Sequence, residues 1–453
     1  MTSRPRTWLG IGAFVLAGPT AALSSGAPQE TIDTPAFANP PALGAPATGI
    51  PGAAPAAVYR IAQGGEGGEG GEGGEGGEGG EGGEGGGGLS DYKLESTDPN
   101  AYSYEADDVV ETYAKGVHAS YEAALAAAIG LQDAVREMLD NPTAETLAAA
   151  RKTWIEARRP YLVTEVFRFY DGPIEDVEGQ INAWPMNEAF IDYVEGKPDA
   201  GIINNASASV DIAALIENNQ VTDEADVTTG WHAIEFLLWG QDLSADGPGD
   251  RPASDFEAGK GNNDRRRAYL GAVTDQLVKD LEELEEAWEP GEHYAETFVD
   301  MDDRDAIGRA FNGMAVLAGF EFMSERLAVG LDSGDQEDEH SCFSDTTHQD
   351  FVYDLKGISN VWKGEYPNVT GPGMREVVAR VDEALAREVD GLLADATAKV
   401  DALGDPWDKV LASEPGSEPR QQAEAAVSAL QALGDGLKKA GNAVGVLVLI
   451  PSG

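Results

Sequence analysis

The sequence predicts an all-α protein, in which two four-helix-bundle-like domains follow a disordered N-terminal linker. From residue 105 onward, long stretches carry apolar residues at the i, i+3, i+4, i+7 spacing of amphipathic helices. No stretch of useful length alternates apolar and polar residues, as a half-buried strand would. A segment dense in Gly, Pro and Asp over residues 241–263 is typical of a boundary. We therefore expect a first helical bundle over residues 105–250 and a second over residues 251–453.

The N-terminal 27 residues are typical of a secretory signal peptide. Arg4 and Arg6 precede an apolar run that begins at Trp8, and small residues follow it. The run is too short to span a bilayer, and no cysteine follows it as a lipoprotein anchor would require. We expect a signal peptide over residues 1–27 and an exported protein of the periplasm or cell envelope, with no stable membrane span.

Residues 28–104 have the composition of a flexible linker. They are rich in Ala, Pro and Gly and include seven consecutive Gly-Gly-Glu repeats. Such a segment has few side chains to bury, and its carboxylates repel one another. It is therefore predicted to be a disordered tether.

The first two long helices are predicted from the regular spacing of their apolar residues and from the residues that interrupt this spacing. Asn141-Pro142 separates a helix over residues 106–140 from one over residues 143–170, in which Pro160 is expected to cause a kink or an interruption. Apart from the motif described below, the remaining predicted helices cover residues 182–193, 208–218, 264–288, 302–331, 348–362, 374–403 and 421–439. The apolar run over residues 446–450 is expected to dock as a tail.

Composition limits the partners of the chain. It holds 31 Lys and Arg against 80 Asp and Glu, a formal net charge of −49. Nucleic acid and anionic lipid surfaces are therefore poor partners, and cations are favoured ones. Because Cys342 is the only cysteine, neither an intrachain disulfide nor a cysteine-based zinc cluster can form.

The most informative motif runs from Thr228 to Gly240. Between the flanking Thr and Gly residues, only His232 and Glu235 are polar, and a helix that is apolar all round is a buried one. Three residues apart, the two side chains share one helix face. Burying an imidazole and a carboxylate is unfavourable unless each has a partner. The pair therefore indicates a metal or proton-handling site, and its alternative is a hydrogen-bonded pair without a metal.

Known zinc peptidase motifs do not fit this helix. H-E-x-x-H needs a second His one turn later, and H-x-x-E-H needs a His directly after the Glu, where Phe236 stands. A mixed imidazole and carboxylate site suits iron, zinc or manganese. Glu165, which lies in apolar surroundings, is the predicted third ligand, and its alternative is a structural ion pair with an arginine such as Arg326. A loop over residues 339–346, which contains His340 and the only cysteine, is expected to cap the next helix through Asp345 or Thr346.

Several motifs together resemble one known family. Gly230-Trp231-His232-Ala233-Ile234-Glu235 resembles the G-x-H-x-x-E motif of the imelysin family, bacterial envelope proteins once classed as metallopeptidases. The resemblance covers roughly residues 105–440. Other segments look like the iron-regulated, imelysin-like branch: Arg159-Pro160-Tyr161 with Glu165-Val166-Phe167, Asn182-Ala183-Trp184-Pro185, and Glu339-His340-Ser341-Cys342-Phe343-Ser344-Asp345 with His348-Gln349-Asp350-Phe351.

The resemblance implies two four-helix bundles with the motif near their interface, and an association with iron acquisition. We therefore expect an exported protein that binds iron, or zinc, through His232, Glu235 and Glu165. It would act in iron uptake or hand-off, with a metal ion and other envelope iron-uptake components as partners. Two alternatives stay open. One is a metallopeptidase that uses His232 and Glu235, and the other is a metal-free envelope binding module.

Overall fold

The computed structural model describes residues 104–244 and 247–451, and it confirms the all-helical prediction for them. The predicted signal peptide (1–27) and all of the predicted linker (28–104) except Tyr104 lie outside the described residues. The helices are α1 (Asp107–Asp140), α2 (Ala144–Leu162), α3 (Glu178–Ile181), α4 (Glu188–Ile191), α5 (Gly201–Asn204), α6 (Ile212–Asn218), α7 (Gly230–Trp239), α8 (Asn263–Trp288), α9 (His293–Asp300), α10 (Asp303–Val316), α11 (Val329–Ser333), α12 (Thr347–Lys363), α13 (Met374–Val381), α14 (Glu383–Val400), α15 (Asp408–Leu411) and α16 (Glu418–Ala443).

Shorter elements connect these helices. A π-helical segment (Leu317–Ala328) joins α10 to α11, so that one long helical rod results. The strands β1 (Glu365–Tyr366) and β2 (Val369–Thr370) pair antiparallel, with Glu365 opposite Thr370. Single turns of 3-10 helix lie at Glu165–Phe167, Pro173–Asp176, Ala253–Phe256 and Gln336–Asp338. No helix in the described part of the chain is both long and apolar enough to cross a membrane.

One group of helices forms around α1. This helix packs along α2 and α8, and α7 packs on α2 and α8. Trp154 on α2 and Trp231 on α7 are both buried, with their ring centroids 6.1 Å apart. Since α8 follows the predicted boundary at residue 250, helices from both sides of that boundary share this bundle. The division into domains at residues 250 and 251 stays a prediction.

A second group forms around α16. This helix packs on α14, α10 and the π-helical segment. Helix α12 contacts members of both groups, because it packs on α2 and on the turn Glu165–Phe167 as well as on α14. The predicted tail is docked, with Val446 and Val448 buried. Helix α12 thus brings the segment before it, residues 339–346, against α7.

Three predicted helices differ markedly from the structure in extent. The helix predicted over residues 182–193 forms only as α4 (Glu188–Ile191), and Pro185 lies outside it. The helix predicted over residues 143–170 ends at Leu162, soon after Pro160, which has no N–H to continue the backbone ladder. The helix predicted over residues 374–403 is broken at Asp382, whose carboxylate caps α14 by accepting hydrogen bonds from two of its first backbone N–H groups. The early end of α2 allows the chain at Glu165 to turn inward, toward α12.

Asp280 on α8 is a buried carboxylate that should make stability depend on pH. Gln276 Nε2 donates to its Oδ1 at 2.6 Å, while its Oδ2 has no hydrogen-bond partner in the described part of the chain. Burial raises the pKa of Asp280 to about 6, and the nearby Glu283 adds to the rise. The folded state therefore holds this proton more tightly than the unfolded state, so that stability is lost as the pH rises from about 4 to about 6.

We expect D280N to raise the free energy of unfolding near pH 7 by on the order of 1–2 kcal/mol, with little effect near pH 4. Urea unfolding at both pH values measures the two differences. E282Q, an exposed carboxylate on the same helix, is the control and should change neither value. An equal gain for D280N at both pH values would show that ionisation is not the cause.

Candidate functional site

Helix α7 carries the first half of the candidate site. All ten of its residues are buried, including His232 and Glu235. The Nδ1 of His232 lies 2.9 Å from Oε2 of Glu235, and its Nε2 lies 3.1 Å from Nη2 of Arg158 on α2. Because a guanidinium only donates, Nε2 is the acceptor and Nδ1 carries the proton. The shared helix face predicted for this pair is confirmed by the direct contact.

Burial and the charge of Arg158 lower the pKa of His232 well below its usual range, so the imidazole is neutral. Glu235 accepts hydrogen bonds from the backbone N and from Oγ of Ser344, at 2.9 and 2.6 Å. Burial nevertheless raises the pKa of Glu235 to about 8, while the Ser344 donors oppose the rise. A carboxyl with a pKa near 8 can exchange a proton close to neutral pH, which is a property of functional sites.

A second histidine faces the first. The ring centroid of His340 lies 4.8 Å from that of His232. The Nδ1 of His340 lies 2.7 Å from Oδ2 of Asp350 on α12, and Oγ of Ser341 donates to the same oxygen at 2.6 Å. Burial and nearby arginines hold the pKa of His340 well below its usual range. We call His232, Glu235, His340 and Asp350 the paired-histidine site, in which each imidazole is anchored at Nδ1 by a buried carboxylate.

Glu165, the predicted third ligand, is held in an ion-pair network. Although burial acts to raise its pKa, Arg168 and Arg326 outweigh burial and hold the pKa well below the usual range. Arg168 Nη1 lies 2.9 Å from Oε2 of Glu165, and Arg326 Nη2 donates to the same oxygen. Arg326 also donates to Asp354 at 2.9 Å. The structural ion pair that the sequence left open is therefore present.

Glu165 is hydrogen-bonded to the paired-histidine site through other side chains, and its charge also acts on His340. Asn182 Nδ2 donates to Oε1 of Glu165 at 3.4 Å, and Arg158 donates to Oδ1 of Asn182. Arg158 in turn contacts His232. The structure thus brings His232 and Glu235 into contact. It places Glu165 in the same hydrogen-bonded network, with the side chains of Asn182 and Arg158 between Glu165 and His232.

The predicted ligands do not form a preassembled group. Among the described residues, the group of three His, Cys, Asp or Glu side chains with all ligand atoms within 4.8 Å of one another is Asp242, Asp345 and Asp408. The role of His232, Glu235 and Glu165 as metal ligands stays a prediction. Arg158 occupies the position next to His232 that a metal ion would take, because its guanidinium faces Nε2 of His232 and lies 3.9 Å from Oδ2 of Asp350.

His340 and Asp350 were not predicted as site residues. The sequence did show a signal, since two of the five histidines lie close together between Glu339 and Phe351. The predicted cap was wrong in its chemistry: Thr346 precedes α12 without a side-chain capping hydrogen bond. Its hydroxyl instead lies 2.8 Å from that of Ser344, beside Glu235. The side chains of this loop therefore contact the buried site, and Thr346 does not cap α12.

The fold and the buried His-x-x-Glu pair define an all-helical protein with a polar centre between helices α2, α7 and α12. The sequence model of the imelysin family, Peptidase M75, matches residues 117–437. The chain belongs to the imelysin family. Iron-regulated protein A of Synechococcus elongatus is 23% identical over 322 residues, which are 69% of this chain and 79% of that protein.

Two solved structures share the fold. A crystal structure of an iron-regulated protein A precursor from Parabacteroides distasonis has a TM-score of 0.61 at 17% identity, and the match covers 74% of this chain and 94% of that one. An imelysin-like protein from Psychrobacter arcticus has a TM-score of 0.54 at 15% identity, covering 77% and 99% of the two chains. At these identities the likeness shows the helical fold alone.

Proposed function

We propose that this protein binds iron, or a cation of similar chemistry such as zinc, at the paired-histidine site, and that it acts in cation capture or hand-off in the cell envelope. The observation that carries the proposal is the pair of neutral imidazoles 4.8 Å apart, each anchored at Nδ1 by a carboxylate. Metal-binding histidines are held in this way, because a carboxylate at one nitrogen orients the other toward the metal. A neutral ring is also the form that binds metals.

Arg158 fits this proposal as the group that a cation replaces. Its guanidinium places a positive charge beside His232 and Asp350, where buried carboxylates need one. Rings of Trp154, Tyr161 and Trp231 surround the guanidinium at 5.5–5.8 Å. An arriving cation would take over the charge next to Nε2 of His232, while Arg158 keeps its bond to Asn182. Glu235 and Glu165 are the carboxylates that would balance the added charge.

The cellular setting is part of the same proposal. The predicted signal peptide supports export, and the name of the Synechococcus relative, an iron-regulated protein, supports iron among the possible cations. Other envelope iron-uptake components would then be its partners. The geometry does not favour peptidase chemistry, because the Glu235 oxygens are already occupied by Ser344 and His232 rather than free to act as a general base.

Metal content of the purified full chain tests the proposal. After anaerobic loading with Fe²⁺ and removal of free metal, the wild type should retain about one ion per chain, and H232A should retain at least tenfold less because it lacks the ligand nitrogen. H293A replaces an exposed histidine on α9 and is the matched control, which should equal the wild type.

E235Q provides a second variant in case H232A does not fold, and circular dichroism verifies helix content for each protein. E235Q keeps the shape of the side chain but replaces one of the two carboxyl oxygens that contact His232 and Ser344 with an amide nitrogen, so iron retention should again fall. Equal iron in wild type, H232A and E235Q would refute binding at this site. A wild type that retains no iron or zinc would instead favour the metal-free binding module.

A further inference from the structure

A cluster of carboxylates lies on the other side of the loop that carries His340. Asp242 follows α7, Asp345 precedes α12, and Asp408 begins α15. One oxygen from each of these three side chains lies within 4.8 Å of the others. The ionisable groups that act on Asp242 and Asp345 are all carboxylates: Asp408, Asp405 and the two residues themselves. The structure therefore gathers carboxylates here, and among the described residues the donors to Asp242 include the neutral groups Ser244 N and Gln336 Nε2.

Glu339 supplies the second observation, because it is an unpartnered buried carboxyl directed at this cluster. Its exposed fraction is 0%, and among the described residues its oxygens make no hydrogen bond of normal geometry, although the Thr347 hydroxyl is close enough to lower its pKa. Both oxygens of Asp408, which is 3% exposed, are unpartnered in the same way. Leaving buried carboxylates without donors or counter-charge is unfavourable by several kcal/mol per group in general, so such groups normally coordinate a metal or keep a proton.

The electrostatics agree with this geometry. Burial raises the pKa of Glu339 to about 11, and the adjacent Asp408 carboxylate adds to the rise. Burial likewise raises the pKa of Asp345 to about 7 and that of Asp242 to about 6, with Asp408 contributing to both. Glu337 lies on the same loop, and burial together with Glu188 raises its pKa to about 8.

We propose that Asp242, Asp345, Asp408 and Glu339 form a second cation site, distinct from the paired-histidine site, for a hard divalent cation of the calcium type. The ligand set consists of oxygens alone, which excludes the nitrogen or sulfur donors that zinc prefers. The three ligand oxygens all lie within 4.8 Å of one another, close enough to contact one ion, and carboxylate oxygens together with water are the ligands that calcium takes in proteins.

The cluster is largely buried, and Asp345 is its most exposed member. Asp345 is partly exposed, while Asp242, Asp408 and Glu339 are buried, so an ion could reach the cluster past Asp345 and keep water on that side. Asp345 has a φ of +55°, the left-handed region that Asp tolerates better than most residues. That conformation directs Ser344 toward Glu235 while Asp345 joins the cluster.

An ion bound at the acidic cluster would stabilise the loop that carries part of the paired-histidine site. Residues of the loop alternate between them, because His340 and Ser344 contact the paired-histidine site while Glu339 and Asp345 belong to the acidic cluster. An ion bound by Glu339 and Asp345 would therefore hold the backbone that positions His340. This inference does not depend on the proposed function, since the cluster contains none of the paired-histidine residues.

Calcium titration of the metal-free full chain tests the inference. Isothermal calorimetry with Ca²⁺ alone should show one saturable site in the wild type, and Ca²⁺ should raise its melting temperature. D408N should bind Ca²⁺ at least tenfold more weakly, because it removes a central ligand charge. D435N replaces an exposed carboxylate on α16 and is the matched control, which should keep wild-type affinity.

Two further variants keep the result unambiguous. E339Q should lower the calcium affinity as D408N does. If D408N does not fold, E339Q is the variant that tests the site. H232A should keep wild-type calcium affinity, which separates this site from the proposed iron site. The inference is overturned if D408N and E339Q bind Ca²⁺ as the wild type does, if D435N loses as much affinity as D408N, or if the wild type shows no saturable binding.

Discussion

Replacing Arg326 with alanine should destabilise the folded protein by about 3–5 kcal/mol. The guanidinium is buried, with 1% exposed, and it donates to Glu165, to Asp354 at 2.9 Å and to Glu321 at 3.0 Å. Glu165 and Asp354 are buried as well. R326A therefore leaves Glu165 with Arg168 as a remaining partner and removes the donor to Asp354, whose pKa burial raises to about 8. Removing one partner of a buried ion pair is much more unfavourable than the pair is favourable.

Urea unfolding near pH 7 measures this change. The matched control is R136A, which removes an exposed arginine whose Nη2 lies 2.9 Å from Asp275, and this loss should be about 0–1 kcal/mol. E165Q combined with R326M should recover part of the stability, because it removes a carboxylate and fills the space with an apolar chain. If R326A and R136A destabilised the protein equally, the network around Glu165 would not be a structural one.

The same network predicts the direction of acid sensitivity. Because its arginines hold the pKa of Glu165 below the unfolded value, this carboxylate stabilises the fold above about pH 4.5 and that contribution is lost as the pH falls. In R326A the part of this contribution that Arg326 supplies should be absent at every pH, while Arg168 still pairs with Glu165. The difference in stability between wild type and R326A should therefore narrow on acidification.

Replacing Gly230 with alanine should destabilise the protein by about 3 kcal/mol or more. Gly230 begins α7 with a φ of +83°, a backbone conformation that L side chains rarely adopt. A Cβ at this position would lie 2.4 Å from the carbonyl oxygen of Ile181 and 2.6 Å from that of Gln180. Both are backbone atoms that cannot rotate away, so the start of α7 would have to move off α3 and carry His232 with it.

Thermal and urea unfolding of G230A measure the effect. G391A is the matched control, since Gly391 lies exposed on α14 with open space around it, and alanine there should stabilise the helix by about 0.5–1 kcal/mol. Opposite signs for the two Gly-to-Ala changes are the expected result. A G230A protein within about 1 kcal/mol of the wild type would show that the contact with α3 does not hold the motif helix in place.

The helices were predictable because their apolar residues repeat locally. The strong stripe over residues 264–288 became α8 (Asn263–Trp288), and the stretch over residues 348–362 became α12 (Thr347–Lys363). The interruption near Pro160 was predicted from its missing N–H, whereas the break at Asp382 and the short extent of the helix within residues 182–193 were not. Whether a helix continues or ends depends on a small free-energy difference between one more turn of backbone hydrogen bonds and a cap. The spacing of apolar residues does not indicate this difference.

The candidate site was predictable only where its residues share a helix. His232 and Glu235 are three positions apart, so helix geometry alone places them together. A structural ion pair between Glu165 and an arginine such as Arg326 was the alternative that the sequence left open, and the structure contains it. Arg168, the other partner, lies three residues after Glu165, a spacing at which the sequence alone could have indicated the pair.

The sequence by itself determined the helical class of this protein, the burial of α7 and the contact between His232 and Glu235, because each follows from the spacing of neighbouring residues along a helix. Only the tertiary structure decided that His340 and Asp350 complete the site, that Arg158 faces His232, and that three aspartates meet beside Glu339. Those groups come from separate helices and loops. Their meeting depends on how the helices pack, and local periodicity carries no information about it.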